Sequence, residues 1–157
     1  MKAVVQRVND ATVTVNETIK GSIDNGLLVY LGVAFDDTKN DADWLVEKII
    51  NLRILDDADG KMNLSINQKI SGVNNNQTKT GILVISQFTL LGDARKGRRP
   101  SWDKAAPPDK ANQLYQYFIT QIKEKNILCE NGEFQARMLV KYTNEGPVTI
   151  LLDSKEK

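Results

Sequence analysis

A chain of 157 residues with 41% hydrophobic and 26% charged content has the size and composition of one soluble globular domain, spanning residues 1–157. No run approaches the ~18 apolar residues of a membrane span, and a formal net charge of +1 excludes a global positive field as the route to nucleic acid. Histidine is absent. That excludes a Ser-His-Asp or Cys-His nucleophile and a His-ligated zinc, so any hydrolysis must run without an imidazole base.

At the N-terminus, Gln6 and Arg7 interrupt the apolar residues of Ala3-Val4-Val5 too early for a signal peptide, so the expected location is the cytosol. The single cysteine, Cys129, cannot form an internal disulfide and reads as a half-buried small residue near the start of a strand.

The first third reads as a β meander. Val4 to Val8 is strand-like, and Ala11, Val13 and Val15 alternate with Thr12, Thr14 and Asn16. Asp24-Asn25-Gly26 signals a turn, and the apolar run Leu27 to Leu31 suits a strand covered on both faces. Asn40 or Asp41 can cap a helix with the stripe Ala42, Leu45, Val46, Ile49 and Leu52.

Asp56-Asp57-Ala58-Asp59-Gly60 resembles a calcium loop, but the pattern would place Leu55 and Ile66 where carboxylates are required, so it reads as a turn. Residues 72–81, containing Asn74-Asn75-Asn76, read as a polar exposed loop. The strand Ile82 to Ile85 then runs into Ser86-Gln87-Phe88-Thr89-Leu90.

Residues 92–108 form a basic segment with Gly and Pro, and Pro107-Pro108 opens a second helix with apolar Ala111, Leu114, Phe118 and Ile122. Met138, Val140 and Tyr142 mark a strand, Asn144-Glu145-Gly146-Pro147 a turn, and Val148 to Leu152 the last strand.

Three segments can carry chemistry. Ser86-Gln87-Phe88-Thr89 is either plain sheet with Phe88 in the core, or a strand end whose free N–H groups can stabilise an oxyanion. Lys96, Arg98 and Arg99, interleaved with Gly97 and Pro100 and close to Trp102, form either a solvated loop or one that follows a phosphate backbone. Gly146-Pro147 is a turn whose isomer spacing does not determine; base rate favours trans. Ser101-Trp102-Asp103-Lys104 and Lys79-Thr80-Gly81 match penicillin-binding signatures, but in reverse order and in too short a chain.

Ser86-Gln87-Phe88-Thr89-Leu90 and Asn144-Glu145-Gly146-Pro147-Val148-Thr149 together resemble the two signature motifs of D-aminoacyl-tRNA deacylases. The resemblance runs nearly end to end, through Gln6-Arg7-Val8, Asp59 to Asn63, Lys96 to Ser101, Gly132-Glu133-Phe134 and Leu151 to Ser154. Gln135 stands where the family usually has glycine, and the polar loop at 72–81 is longer than usual.

The resemblance implies a mixed α/β fold: a barrel-like sheet with two amphipathic helices outside, in a homodimer with its sites at the interface. It implies hydrolysis of the ester joining a D-amino acid, or glycine, to tRNA, with no metal and no cofactor. Ser86, Phe88 and Thr89 would be catalytic, the last two through their N–H groups. Gln87, Phe134, Ala136 and Met138 would bind the aminoacyl-adenosine. Gly146 and Pro147, joined by a cis peptide, would filter chirality, and Lys96, Arg98 and Arg99 would contact tRNA. An inactive tRNA- or DNA-binding module of the same fold is the alternative.

Overall fold

The computed structural model describes residues 1–71 and 78–156. Most of the polar loop expected at 72–81 therefore lies outside the described residues; its end does not, and Thr80 and Gly81 already belong to a strand.

The sheet is organised around β1 (Lys2–Val15), one 14-residue strand. One of its edges pairs antiparallel with β2 (Thr18–Ile23) through Ala11–Val15, and with β3 (Asn25–Gly32) through Lys2–Val8. β2 and β3 are thus successive segments along the same edge, and Asp24 only bends the chain between them. The expected meander is corrected accordingly: Asn25 and Gly26 open β3 instead of turning a hairpin.

β3 pairs in parallel with β6 (Thr80–Ser86), which pairs in parallel with the short β7 (Cys129–Asn131). β2 curls back onto β7, so close that a Cβ on Gly21 would lie 3.0 Å from the Asn131 carbonyl oxygen. The sheet is therefore barrel-like and nearly closed.

The other edge of β1 carries β8 (Leu139–Asp153), a single 15-residue strand where the sequence pattern suggests two. The expected turn at 144–147 is a bulge. Gln6 faces Thr149 and Val8 faces Asn144, so residues 145–148 loop out opposite Arg7 while pairing resumes on both sides.

Leu27, Leu28, Val29 and Leu31 are buried on both faces of β3, as their continuous run requires. On one face Val5, Leu27, Val29, Ile82 and Val84 pack beneath two helices, α1 (Lys39–Ile50) and α3 (Pro108–Glu124). On the other, Val8, Ala11, Val13, Leu28, Leu83 and Ile85 fill the barrel with Tyr30, Met138, Val140 and Tyr142.

The helix α3 begins at Pro108 and buries Leu114, Phe118 and Ile122 as the spacing predicts. For α1 the cap is Thr38 rather than Asn40 or Asp41. Asp41 is instead the third helical residue, accepting the Thr38 N–H at 2.9 Å, and the helix ends before Leu52. A third helix, α2 (Ile66–Ser71), has its own sequence signal: Ser65 and Gln68 exchange backbone-to-side-chain bonds of 3.0 and 3.2 Å, and Ile66 is buried.

Asp57 to Gly60 turn between β4 (Leu55–Asp56) and β5 (Met62–Leu64), with the Asp57 carboxylate accepting the N–H groups of Asp59 and Lys61, both at 3.0 Å. Cys129 opens β7, more deeply buried than expected, and that burial pushes its thiol up to about 12. No helix among the described residues is long and apolar enough to cross a membrane.

Asp41 ties the C-terminal residues Ser154 and Lys155 to α1. Its carboxylate accepts the Ser154 hydroxyl at 2.8 Å and pairs with Lys155 at 3.0 Å. Burial opposes its ionisation, but the Thr38 N–H, the Ser154 hydroxyl and Lys155 outweigh burial and hold its pKa below the usual range. A carboxylate depressed by folding contributes stability above its unfolded pKa of about 4 and loses it as pH falls below that value. The midpoint of thermal unfolding should therefore fall between pH 5 and about pH 3, and Asp41→Asn should flatten that part of the curve while lowering stability at pH 7.

Candidate functional site

A cavity of about 550 Å³ opens at the carboxyl ends of the parallel pair β3 and β6, the usual location for ligands in sheets with parallel strands. Leu31 and Val33 line it from the end of β3, and Ser86, Gln87 and Phe88 from the end of β6. Phe134, Gln135, Ala136 and Met138 form one wall; Ala105, Ala106, Pro108 and Ala111 form the other. The second wall carried no chemical signature in the sequence. Its small side chains leave the space open as α3 begins.

The chain leaves the ladder at a defined point. Gln87 N–H still donates to Leu31 O at 2.7 Å, but β3 ends at Gly32 and the next residues, Phe88–Leu91, wind into a 3-10 turn. The first bond of this turn runs from Leu90 N–H to Gln87 O, at 3.4 Å. The N–H groups of Phe88 and Thr89 precede it and so have no partner inside the turn. Leu91 anchors the turn in the core, while Phe88 is 56% exposed, which rules out the plain-sheet reading with Phe88 buried.

Phe134 packs its ring on Tyr115, 5.9 Å between centroids, and the Tyr115 hydroxyl donates to Val84 O at 2.9 Å, fixing this wall to β6. The following turn requires a left-handed residue, and Gln135 adopts φ +62 there. The family's usual glycine would take that conformation without a Cβ penalty, so this departure keeps the local backbone path at the cost of some strain.

Ser86, Gln87, Phe88, Phe134, Ala136 and Met138 are thus gathered around one cavity. Thr89 is exposed and its side chain does not contribute to the lining. Gly146 and Pro147 also lie outside the lining, exposed in the β8 bulge, and Lys96, Arg98 and Arg99 are exposed in a loop beyond the 3-10 turn.

The bulge is firmly held. The Asn144 amide donates to Arg7 O at 3.0 Å and to Val148 O at 3.1 Å, bridging its two ends. Arg7, buried beneath it, donates to Ile54 O at 3.1 Å, pairs with Asp56 at 2.7 Å and has its Nε 3.5 Å from Glu145. The Gly146–Pro147 peptide is cis, the isomer the resemblance implies and not the one that base rate favours. Gly146 has φ +109, and a Cβ there would lie 2.8 Å from Val148 Cγ2, so glycine is required twice over. Of this bracing, Arg7 and Asn144 fall within the family-like motifs, but the bonds from Asn144 to Arg7 and from Arg7 to Ile54 and Asp56 join residues distant in sequence and cannot be read from it.

An open-mouthed, largely apolar cavity with a few polar groups at the end of a β-strand defines a small-ligand site on a mixed α/β scaffold. The family description D-Tyr-tRNA(Tyr) deacylase matches residues 4–153. The chain is 54% identical to a D-aminoacyl-tRNA deacylase of Kosmotoga olearia, covering all of this chain and 99% of that one. It is 56% identical to another from Thermosipho melanesiensis, over 99% of each. Among solved structures, a c-Myc DNA unwinding element binding protein superposes with a TM-score of 0.86 at 38% identity over 98% of both chains. A probable eukaryotic D-amino acid tRNA deacylase shares the fold at 16% identity, with a TM-score of 0.73 over 96% of this chain and 97% of that one. The chain belongs to the D-Tyr-tRNA deacylase family.

Proposed function

We propose that the protein hydrolyses the ester of D-aminoacyl-tRNA, and of glycyl-tRNA, releasing the free amino acid and a tRNA with its terminal ribose hydroxyl restored. The observation that carries this reading is the 3-10 turn at the cavity mouth, where the Phe88 and Thr89 N–H groups lie before the first bond of the turn.

Water adds to the ester carbonyl, the carbonyl oxygen gains charge, and these two donors stabilise it. The tetrahedral intermediate then expels the ribose oxygen, which takes up a proton. An aminoacyl ester is already activated and sits beside a ribose hydroxyl that can orient the water, so positioning and oxyanion stabilisation suffice without histidine. Ser86, Gln87, Phe134, Ala136 and Met138 would line the pocket for the aminoacyl group and the adenosine.

Rejection of L-aminoacyl groups is assigned to Gly146 and Pro147. Mobile apolar side chains discriminate by only ~1–3 kcal/mol, whereas main-chain atoms pinned by Asn144 cannot swing aside. These residues do not line their own cavity, so the reading includes a homodimer in which each subunit presents them to its partner's site. A tRNA substrate supports the cytosol as the proposed location.

The testing experiment is release from D-Tyr-tRNA, L-Tyr-tRNA and a nitrophenyl ester. The D-aminoacyl substrate should be cleaved about a hundred-fold or more faster than the L form, with little turnover of the nitrophenyl ester. Equal rates on both enantiomers, or binding without cleavage, would instead favour the inactive nucleic-acid-binding module.

Lys96, Arg98 and Arg99 are assigned to the tRNA backbone. Neutralising Arg98 and Arg99 together should weaken tRNA binding and reduce the slope of log affinity against log salt by about one to two. An unchanged slope would return the loop to ordinary solvated surface.

A further inference from the structure

Beyond the cavity, the 3-10 turn carries an aromatic pair that the hydrolytic chemistry does not use. Phe88 is 56% and Trp102 39% exposed, and their rings meet edge to face at 5.2 Å and 71°. A single exposed apolar residue is ordinary, but two large aromatic rings exposed in contact form a contiguous patch of the kind that marks a binding surface.

Trp102 is built into place from below. A Cβ on Gly92 would lie 2.5 Å from its Cζ3 and 3.1 Å from its Cε3, so the indole rests directly on glycine backbone. Asp93 and Ser101 exchange backbone bonds of 2.8 and 2.9 Å, closing the foot of the basic loop next to Trp102. The Trp102 carbonyl accepts Ala105 N–H at 2.8 Å, which continues the support into the cavity wall.

The surroundings are cationic. Arg95 is engaged by Asp93, but Lys96, Arg98 and Arg99 are exposed on the same loop, and Lys104 lines a hollow of about 370 Å³ beside the 3-10 turn. Phe88 itself lines the main cavity beside the proposed ester-binding turn, so the shelf adjoins the cavity at that turn.

We propose that Trp102, buttressed by Phe88, is a stacking shelf for the nucleobase that precedes the terminal adenosine of the aminoacyl-tRNA. This rests on the deacylase reading. A π-face flanked by cations suits a single-stranded nucleotide, whose base stacks while its phosphates follow the charges. Stacking requires no base edge to be read, so the shelf would serve every tRNA alike. It would contribute through binding of the acceptor end, leaving the ester chemistry to the 3-10 turn.

The test compares two substrates, D-Tyr-tRNA and the minimal ester D-tyrosyl-adenosine, which lacks the preceding base. Trp102→Ala should raise KM for the tRNA by about five-fold or more, a penalty several times greater than any on the minimal ester, and Trp102→Phe should recover most of it. As a direct readout, Trp44→Phe leaves Trp102 as the single indole of the two in the sequence. An RNA hairpin with a CCA end should quench its emission, and the same hairpin abasic at the penultimate position should quench it much less.

Equal KM penalties on both substrates, or equal quenching by both hairpins, would overturn the shelf and leave Trp102 as a prop for the 3-10 turn. Failure of the unmodified protein to cleave either ester would count against the deacylase reading instead. Quenching that depends on the penultimate base would still support the shelf in that case.

Discussion

Phe88→Pro should lower kcat about a hundred-fold or more relative to Phe88→Ala, the scale of losing one oxyanion donor. The pair isolates a backbone group. Both variants lack the ring, but only proline lacks the N–H. The position tolerates proline: Phe88 is the first residue of the 3-10 turn, its N–H is not needed by the turn, and Gln87 before it is already non-helical at φ −146, ψ 87.

Thermal unfolding of the two variants should agree within a few degrees, and product tRNA should bind both alike, separating a lost donor from a damaged or blocked site. Thr89→Ala should cost less than about ten-fold, since its exposed hydroxyl has no base to activate it. No acyl-enzyme should accumulate. A mass shift on Thr89 or Ser86 after a rapid quench would assign the chemistry to a side-chain nucleophile, and a Phe88→Pro rate within ten-fold of Phe88→Ala would move the oxyanion elsewhere.

What the sequence made legible was local. The two-sided burial of Leu27 to Leu31 and the stripe of α3 opened by Pro108 follow from periodicity and punctuation. For Ser86, Gln87 and Phe88, spacing leaves plain sheet and a strand end both open, and the family resemblance points to the strand end. The departures lie where tertiary pairing decides. Asn144 to Pro147 has turn composition, yet β1 is long enough to pair on both sides of it, making one bulged strand. Asp24-Asn25-Gly26 likewise has turn chemistry, but β2 and β3 share one edge of β1, so no hairpin forms. The Ser65–Gln68 capping pair is present in the sequence, but α2 is only six residues long, and its apolar face is a single i, i+4 pair, Ile66 and Ile70, too short a pattern to mark a helix. The separation of Gly146 and Pro147 from their own cavity follows from no spacing in the chain.

Gly26→Ala should destabilise the fold by about 3 kcal/mol or more, lowering the unfolding midpoint by roughly 10 °C. Gly26 stands opposite Gly81 in the parallel pairing of β3 with β6, and a Cβ on it would lie 2.0 Å from the Gly81 carbonyl oxygen. That atom is backbone, so no side-chain rotation relieves the overlap. The residue also holds φ +131, which an L side chain rarely adopts. Gly60 provides the control. It has φ +73, but a Cβ there would meet nothing within 4 Å, so Gly60→Ala should cost only the backbone strain of about 1 kcal/mol. The difference between the two variants combines the close approach with the greater strain of φ +131 over φ +73. It also bears on function, because the β3–β6 register fixes where Gln87 N–H meets Leu31 O and hence where the 3-10 turn begins. A strand pair forced apart at Gly26 should therefore lose deacylation even below its unfolding temperature. Equal midpoints for Gly26→Ala and Gly60→Ala would mean that β3 and β6 can separate at that end, and that the site does not depend on their spacing there.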